Sequence, residues 1–350
     1  MQARCYRDRE LIVKGELAWM FPDGYTPLFL APQAGVSESP FRRLCRKFGA
    51  DVVSTEFVSA DGILQGNPQT REHLIFHEDE RPISIQIFGS NPQKMGEASA
   101  MVTDLFQPDF IDINFGCPVK KIVKRNGGSG CLRDLDLVEK IIRSVVRSTH
   151  LPVSTKIRSG FDEPSRDPVT IGLRCQDSGS QMVILHARTR TDMYSGQARW
   201  DEIASLTDAL DVPVVGNGDV YLGADARSMK ETTGCAGIMI ARGSHGSPWI
   251  FSQARAALDG QPIPDDPDVL HRFEICLEHA RNGSRYETNP NKALRDFRKH
   301  LGWYTKGIPG GRNLRSQLFE ALSFEQVEGL LNEYLDTVLD LTDGLEAFSG

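Results

Sequence analysis

The sequence predicts an α/β protein in which a (β/α)8 TIM barrel is followed by a small C-terminal helical bundle. Short β-like runs alternate with segments of helical length from about residue 27 to 258, and there are eight such runs. Eight parallel strands are the number that closes a barrel. Beyond residue 261 the pattern is helical, and 350 residues are enough for one barrel with an appendage.

The predicted strands are short, apolar and rich in β-branched residues, as strands covered on both faces should be. They lie at 27–32, 51–55, 83–88, 110–115, 152–157, 181–186, 213–216 and 236–241. The helices between them lie at 40–48, 92–105, 135–148, 168–177, 200–210, 224–231 and 249–258. An open doubly wound sheet is the alternative, but the turn after the first strand lacks the glycine pattern of dinucleotide-binding proteins.

A segment dense in proline and acidic residues, 261–267, marks the end of the predicted barrel. Four helical segments follow it, at 270–281, 291–304, 314–322 and 324–340. We therefore divide the chain into an N-terminal extension (1–26), a barrel domain (27–260) and a helical domain (261–350).

The composition excludes several classes of protein. Charged residues make up 25% and hydrophobic residues 40%, which is typical of a globular protein. The seven cysteines form no C-x-x-C pair, and no apolar run reaches the ~18 residues of a membrane span. We expect a cytoplasmic, monomeric protein without a membrane segment or a metal site.

The charge of the chain is unevenly distributed. The formal net charge is −7, which argues against a protein that coats nucleic acid indiscriminately. Residues 281–315, however, contain nine Lys and Arg but only two acidic residues. This segment is either a basic surface for a polyanion or a solvated helix face.

Polar residues recur at the carboxyl ends of the predicted strands, the edge at which barrel enzymes build their sites. Cys117 lies where Gly116 and Pro118 end the strand 110–115. Its thiol is a candidate proton donor or, with a lowered pKa, a thiolate. A buried structural cysteine is the alternative.

Two glycine-containing loops, 216–219 and 241–244, predict a phosphate site. Their backbone N–H groups can approach an anion, and Arg242 can neutralise it. Lys156 suits a heterocycle that carries negative charge, and Gln86 suits the hydrogen-bonding edge of such a ring. Flavin mononucleotide (FMN) has both a phosphate and a ring of this kind. A phosphosugar would also satisfy the phosphate site.

Taken together, these motifs resemble the tRNA-dihydrouridine synthases, flavin enzymes that reduce a uracil ring in transfer RNA, and most closely the bacterial B-type branch. The resemblance spans nearly the whole chain. In order, it is carried by LAPQAGV (30–36), QIFG (86–89), DINFGCP (112–118), KIRSG (156–160), HARTR (186–190), GNGD (216–219), PWIF (248–251) and RKHLGWYTKGIPG (298–310).

The resemblance implies an FMN-dependent enzyme with NADPH or NADH as its reductant. Cys117 falls on the family's catalytic cysteine, and Asn114 on a residue that helps to hold the uracil. Hydride would pass from reduced FMN to C6, and Cys117 would protonate C5. The implied flavin contacts are Pro32, Gln33, Ala34, Gln86, Lys156, His186, Asn217, Gly218, Asp219, Ala241 and Arg242.

The implied partner is tRNA, whose target uridine must leave the folded RNA to reach the flavin. The residues expected to hold its phosphates are Arg188, Arg190, Lys292, Arg295, Arg298, Lys299, Lys306 and Arg312. The chain departs from the family at Gln33, where Met is usual, and at Ala241, where Gly is usual. Cys131 is a competing thiol.

Two other functions remain possible from the sequence. The first is an FMN-barrel oxidoreductase that acts on a free pyrimidine, similar to dihydroorotate dehydrogenase. The second is a non-catalytic RNA-binding or regulatory protein. The basic segment favours RNA over a free pyrimidine, and Cys117 argues against a non-catalytic protein.

Overall fold

The computed structural model describes residues 17–286 and 290–346, so most of the predicted N-terminal extension lies outside the described residues. The described part contains a parallel sheet built from short strands. These strands are β1 Leu28–Leu30, β2 Val53–Ser54, β3 Val58–Ser59, β4 Ile83–Phe88, β5 Phe110–Asn114, β6 Val153–Arg158, β7 Val183–His186, β8 Val214–Asn217 and β9 Gly237–Ile240.

The sheet closes into a barrel. The strands pair in the order β1-β9-β8-β7-β6-β5-β4-β2, and β3 pairs with the end of β4. A parallel bridge between Phe29 and Val52 joins the two ends of this order. The predicted eight-stranded barrel is therefore confirmed. The strand β3 was not predicted, because a run of two residues carries too little pattern.

Helices surround the barrel and continue after it. The helices are α1 Ser39–Lys47, α2 Ala60–Leu64, α3 Pro68–Glu72, α4 Pro92–Phe106, α5 Lys120–Val123, α6 Leu135–Ser148, α7 Pro168–Asp177, α8 Trp200–Ala209, α9 Gly223–Thr233, α10 Ile250–Leu258, α11 Val269–Tyr286, α12 Pro290–Tyr304, α13 Gly311–Glu320 and α14 Phe324–Glu346. Each predicted helix is present. The unpredicted ones, α2, α3 and α5, have only four or five residues and show no helical period.

The residues just before β1 pack against the barrel interior. Leu17 and Met20 are buried in one cluster with Phe29, Ile184 and Met239, whose side chains come from the strands. This cluster is separate from the larger core between the strands and the surrounding helices. Part of the predicted N-terminal extension therefore contributes to the core of the barrel.

The helices α11–α14 share a third hydrophobic core, which includes Phe273, Leu301, Tyr304 and Leu318. Trp249, from the loop before α10, also packs in this core. The predicted C-terminal bundle is thus present, and the exact boundary between the two domains stays a prediction. Within the described ranges no helix is long and apolar enough to cross a membrane.

Candidate active site at the carboxyl ends of the barrel strands

A cavity of about 410 Å³ opens at the carboxyl ends of the barrel strands. It brings together the predicted catalytic and cofactor residues, although they are spread over more than 200 positions of the sequence. The predicted residues that line it are Pro32, Gln33, Ala34, Gln86, Asn114, Cys117, Lys156, His186, Asn217, Gly218, Asp219, Ala241 and Arg242.

The backbone of Cys117 is held from both sides. Asn114 Oδ1 accepts hydrogen bonds from the N–H groups of Gly116 (3.0 Å) and Cys117 (2.8 Å). The carbonyl of Cys117 accepts hydrogen bonds from the N–H (3.1 Å) and the hydroxyl (2.8 Å) of Ser129. Gly128, at φ +55°, packs so closely that a Cβ there would lie 3.0 Å from Cys117 Cβ. These contacts fix the thiol at the edge of the cavity.

The surroundings of Cys117 favour the neutral thiol. The residue is only 6% exposed, and this burial raises the pKa of the thiol, against the smaller lowering effects of the Val119 N–H and the Arg158 charge. A thiol with a raised pKa is protonated at pH 7. Of the two forms considered from the sequence, the structure therefore favours the proton donor over the thiolate.

Cys131, the competing thiol, lies outside the cavity lining. It is fully buried and donates its S–H to the carbonyl of Asn126 at 2.8 Å. Burial raises its pKa to about 12. Its contacts are those of a packed structural cysteine.

A chain of buried polar side chains orients two of the amide side chains that line the cavity, Gln86 and Asn114. Asp112 accepts hydrogen bonds from Ser154 (2.6 Å) and from Gln86 Nε2 (2.5 Å), and burial raises the pKa of its carboxyl to about 6. Gln86 Oε1 in turn accepts a hydrogen bond from Asn114 Nδ2 (2.6 Å). These bonds use one proton of each amide nitrogen, and the second is left for a ligand.

Lys156 carries its ammonium group into the same cavity. Its Nζ donates to Asn217 Oδ1 at 3.0 Å, and Asn217 Nδ2 donates to the carbonyl of Met239 at 2.8 Å. Burial lowers the pKa of Lys156 to about 8, so the amine is still mostly charged at pH 7. A half-buried cation of this kind is suited to the electronegative edge of a heterocycle.

His186 is neutral in this environment. Burial lowers the pKa of its imidazole well below the ordinary value, and the charges of Arg158, Lys156 and Arg188 act in the same direction. The ring is therefore a hydrogen-bonding group rather than a cation, with Arg188 Nη1 at 3.5 Å from Nε2.

The two predicted phosphate loops are closely packed around their glycines. Gly218 has φ +133°, and a Cβ there would lie 2.6 Å from Ala198 Cβ. A Cβ on Gly243 would lie 2.2 Å from the carbonyl oxygen of Val220. Only glycine fits at these two positions, which lets the backbone of both loops approach a ligand.

Arg242 and Asp219 form the charged part of the cavity lining beside these two loops. The Arg242 guanidinium lies over the rings of Tyr194 (4.8 Å) and Tyr221 (5.4 Å) and 3.4 Å from Asp219 Oδ1. Burial opposes ionisation of Asp219, but its hydrogen bonds to Arg188 (2.7 Å) and to the Ala198 N–H (2.7 Å) hold its pKa below the ordinary range. Asp219 therefore orients the guanidinium groups of Arg188 and Arg242 beside the two loops.

The two arginines predicted to hold RNA near the barrel mouth do not line the cavity. Arg188 is 1% exposed, and its guanidinium donates to two loop carbonyls (3.1 and 2.6 Å) as well as to Asp219. This burial does not agree with its predicted contact to an RNA phosphate. Arg190 is half-buried, and its guanidinium lies 5.4 Å from the ring centre of Phe161.

Sequence reasoning missed the position of Arg158 between two loops of the site. Its Nε donates to the carbonyl of Gly116 (2.8 Å), and its Nη1 donates to the carbonyls of Thr189 (2.8 Å) and Met193 (2.9 Å). Arg158 was visible as a polar residue at the end of a strand, but its partners are distant in sequence. It ties the Cys117 loop to the loop after β7.

The cavity also contains a contact with the helical bundle that the sequence did not predict. Gln33 Nε2 lies 2.8 Å from His245 Nε2, and the His245 ring stacks on Trp303 of α12 at 4.1 Å. Gln33 Oε1 is buried, and the described residues offer it no hydrogen-bond partner. Gln33, one of the two positions at which the sequence departs from the pattern it resembles, therefore carries an unsatisfied acceptor in the lining of the cavity.

The predicted RNA-binding cations of the bundle differ in accessibility. Arg295, Lys306 and Arg312 are exposed. The half-buried Arg298 donates to the carbonyl of Ala321 at 3.3 Å. Lys292 and Lys299 line a second cavity between barrel and bundle, where Lys292 pairs with Glu72 at 3.3 Å.

Comparison with known proteins identifies the family. The family model described as dihydrouridine synthase matches residues 29–340, nearly the whole chain. The chain belongs to the dihydrouridine synthase family. This membership confirms the resemblance found in the sequence, and the barrel with its appended helices is the fold observed here.

Curated relatives of this family member cover most of its length. A probable tRNA-dihydrouridine synthase of Mycobacterium tuberculosis is 36% identical over 324 residues, which are 89% of this chain and 83% of the relative. The tRNA-dihydrouridine synthase B of Pseudomonas aeruginosa is 38% identical over 291 residues, with 83% and 87% covered. The probable tRNA-dihydrouridine synthase 1 of Synechocystis is 37% identical over 310 residues, with 88% and 86% covered.

Proposed function

We propose that this protein is an FMN-dependent oxidoreductase that reduces the C5=C6 bond of specific uridines in tRNA. The observation that carries the proposal is the single cavity in which Cys117 lies together with all the residues predicted to contact the flavin. Family membership and the names of the curated relatives support the same reaction.

The residues of the cavity fit a flavin. The tightly packed loops at Gly218 and Gly243, with Arg242 beside them, suit a phosphate. Lys156, the Gln33 acceptor and the second amide proton of Gln86 suit the polar edge of a flavin ring. When bound there, reduced FMN would supply a hydride to C6 of the uracil, and we propose NADPH or NADH as its reductant.

Cys117 is the proposed acid for C5. Its neutral thiol gives a proton to C5, and Asn114, which fixes the Cys117 backbone, also offers an amide proton to a uracil carbonyl. Arg158 keeps the Cys117 loop at the edge of the cavity by donating a hydrogen bond to the carbonyl of Gly116.

We further propose a monomeric, cytoplasmic protein that meets tRNA through exposed cations of the bundle. Arg295, Lys306 and Arg312 have the required exposure. For the buried Arg188 we propose a positioning role, in which it orients Asp219 and so Arg242. This role replaces its predicted phosphate contact.

The decisive experiment is to map dihydrouridine by mass spectrometry in tRNA from cells with and without the gene. Deletion is expected to abolish dihydrouridine at one or more tRNA positions, and the wild-type gene is expected to restore it. Unchanged dihydrouridine in the deletion strain would contradict the proposal. Reduction of a free pyrimidine but not of tRNA by the purified enzyme would favour the alternative oxidoreductase.

Lys156→Met is expected to weaken FMN binding by about 10–100-fold, because a hydrogen bond to a charged group is worth roughly 1.5–3 kcal/mol. The measurement is the dissociation constant of FMN, from flavin fluorescence titration of the apoprotein. Lys140→Met, on the exposed side of α6, is the matched control and should bind FMN normally. Equal affinity of both variants would contradict the contact.

Alkylation of Cys117 by iodoacetamide is expected to be slow at pH 7 and to accelerate only above pH 8.5, the ordinary region of a thiol pKa. The reason is that burial raises the pKa of this thiol, so the reactive thiolate forms later as pH rises. Mass spectrometry of the Cys117 peptide at several pH values gives the profile. A midpoint below pH 7 would show a thiolate and exclude the proposed acid.

A further inference from the structure

Three side chains of metal-ligating type meet where the barrel contacts the helical bundle. Glu38 precedes α1 on the barrel, whereas His279 and His300 belong to α11 and α12. One ligand atom from each residue lies within 4.8 Å of the other two. Glu38 Oε1 is 3.2 Å from His279 Nε2 and 2.9 Å from His300 Nε2. None of the three residues lines the flavin cavity.

The cluster contains buried polar atoms that the described residues leave unsatisfied. His300 is completely buried, yet neither of its ring nitrogens has a hydrogen-bond partner. Its Nε2 is close to Glu38, but the approach lacks hydrogen-bond geometry, and Glu38 Oε2 is also without a partner. Buried polar groups are normally satisfied, so the free lone pairs of this cluster are available to an electron-pair acceptor.

The imidazole rings are held in place by their neighbours. The ring of Phe41 lies 5.4 Å from that of His279 and 5.4 Å from that of His300, and Phe297 lies at 4.9 and 5.4 Å. His279 Nδ1 is 3.3 Å from the hydroxyl of Tyr304. With the ring proton on Nδ1, this contact leaves the Nε2 lone pair facing Glu38. Outer hydrogen bonds of this kind orient metal-bound histidines.

Solvent can reach the cluster from one side. The Glu38 side chain is 31% exposed, and it lines the second cavity of about 590 Å³ together with His279. An ion could therefore arrive through this cavity and keep a water molecule as its fourth ligand. Two histidine nitrogens and one carboxylate, with a fourth coordination position left open, are a common set of zinc ligands.

We propose that Glu38, His279 and His300 bind one divalent transition-metal ion that ties the barrel to the helical bundle. Two imidazoles and one carboxylate suit Zn²⁺ and its neighbours in the first transition row. With bonds of ~2.0–2.2 Å, tetrahedral ligands lie roughly 3.3 Å apart, close to the separations from Glu38 Oε1. This proposal differs from the expectation, drawn from the sequence, that the protein has no metal site.

The test is metal binding by untagged full-length protein that has been stripped with a chelator and dialysed. Titration with Zn²⁺, followed by calorimetry and by elemental analysis after gel filtration, is expected to give one ion per chain. Co²⁺ in the same site is expected to give visible d–d absorption bands. None of these readouts requires flavin, tRNA or activity, so failure here is distinguishable from failure of the proposed enzyme function.

His279→Gln and His300→Gln are expected to lose at least tenfold in Zn²⁺ affinity, whereas His271→Gln, at an exposed His–Asp pair, should bind as the wild type does. If either buried histidine variant fails to fold by circular dichroism, the isosteric Glu38→Gln takes its place. The proposal is overturned if the wild type binds no stoichiometric Zn²⁺. It is equally overturned if the folded cluster variants bind Zn²⁺ as tightly as the wild type.

Discussion

Cys117→Ala is expected to keep its flavin and to lose uridine reduction by about 10²–10⁴-fold, the usual contribution of a general acid. Cofactor binding should survive, because the Cys117 contacts to Asn114 and Ser129 are made by backbone atoms and alanine can make them too. The loss arises because no proton reaches C5 from the thiol. Flavin content is measured after heat release, and dihydrouridine is measured in single-turnover reactions of pre-reduced enzyme with tRNA.

Two serine variants sharpen this prediction. Cys117→Ser retains a donor of higher pKa and is expected to have activity between that of alanine and that of the wild type. Cys131→Ser is the matched control, since a hydroxyl can still donate to the carbonyl of Asn126 and the residue lies outside the cavity. Normal turnover by Cys117→Ala would assign the acid to another group, and loss in Cys131→Ser alone would assign it to Cys131.

The barrel could be predicted because its pattern is local. Most of the buried strands are visible in the sequence as largely apolar runs, as in Gly237–Ile240. Most of the residues that line the cavity could be predicted from one further rule. The carboxyl ends of parallel strands lie at the same edge of a barrel. Residues as distant in sequence as Gln86 and Asn217 were therefore expected to lie together, and both line the cavity.

The rest depended on loop conformation and on distant contacts. Whether an arginine after a strand faces solvent or the interior is decided by its loop, which is why Arg188 was predicted as a phosphate ligand and is instead buried against Asp219. The pairing of Glu38 with His279 joins residues 241 positions apart on different elements. No spacing or period within the sequence connects such residues.

Replacing Arg295, Lys306 and Arg312 together by glutamine is expected to weaken tRNA binding on the order of 100-fold at about 0.1 M salt. Each lost phosphate contact reduces the release of counterions, so the slope of log affinity against log salt should fall by roughly one unit per residue. These three are chosen because they are exposed, whereas Arg298 is half-buried and bound to Ala321. The measurement is a filter-binding or fluorescence titration with tRNA at several salt concentrations.

The matched control removes the same number of charges from the outside of the barrel. Lys140, Arg147 and Arg227 are exposed on α6 and α9, so their triple glutamine variant has the same net charge as the bundle variant. If only overall charge mattered, both variants would lose affinity equally. A selective loss in the bundle variant that vanishes at high salt supports the bundle as the RNA surface. Equal behaviour of the two variants would move the tRNA to another face of the protein.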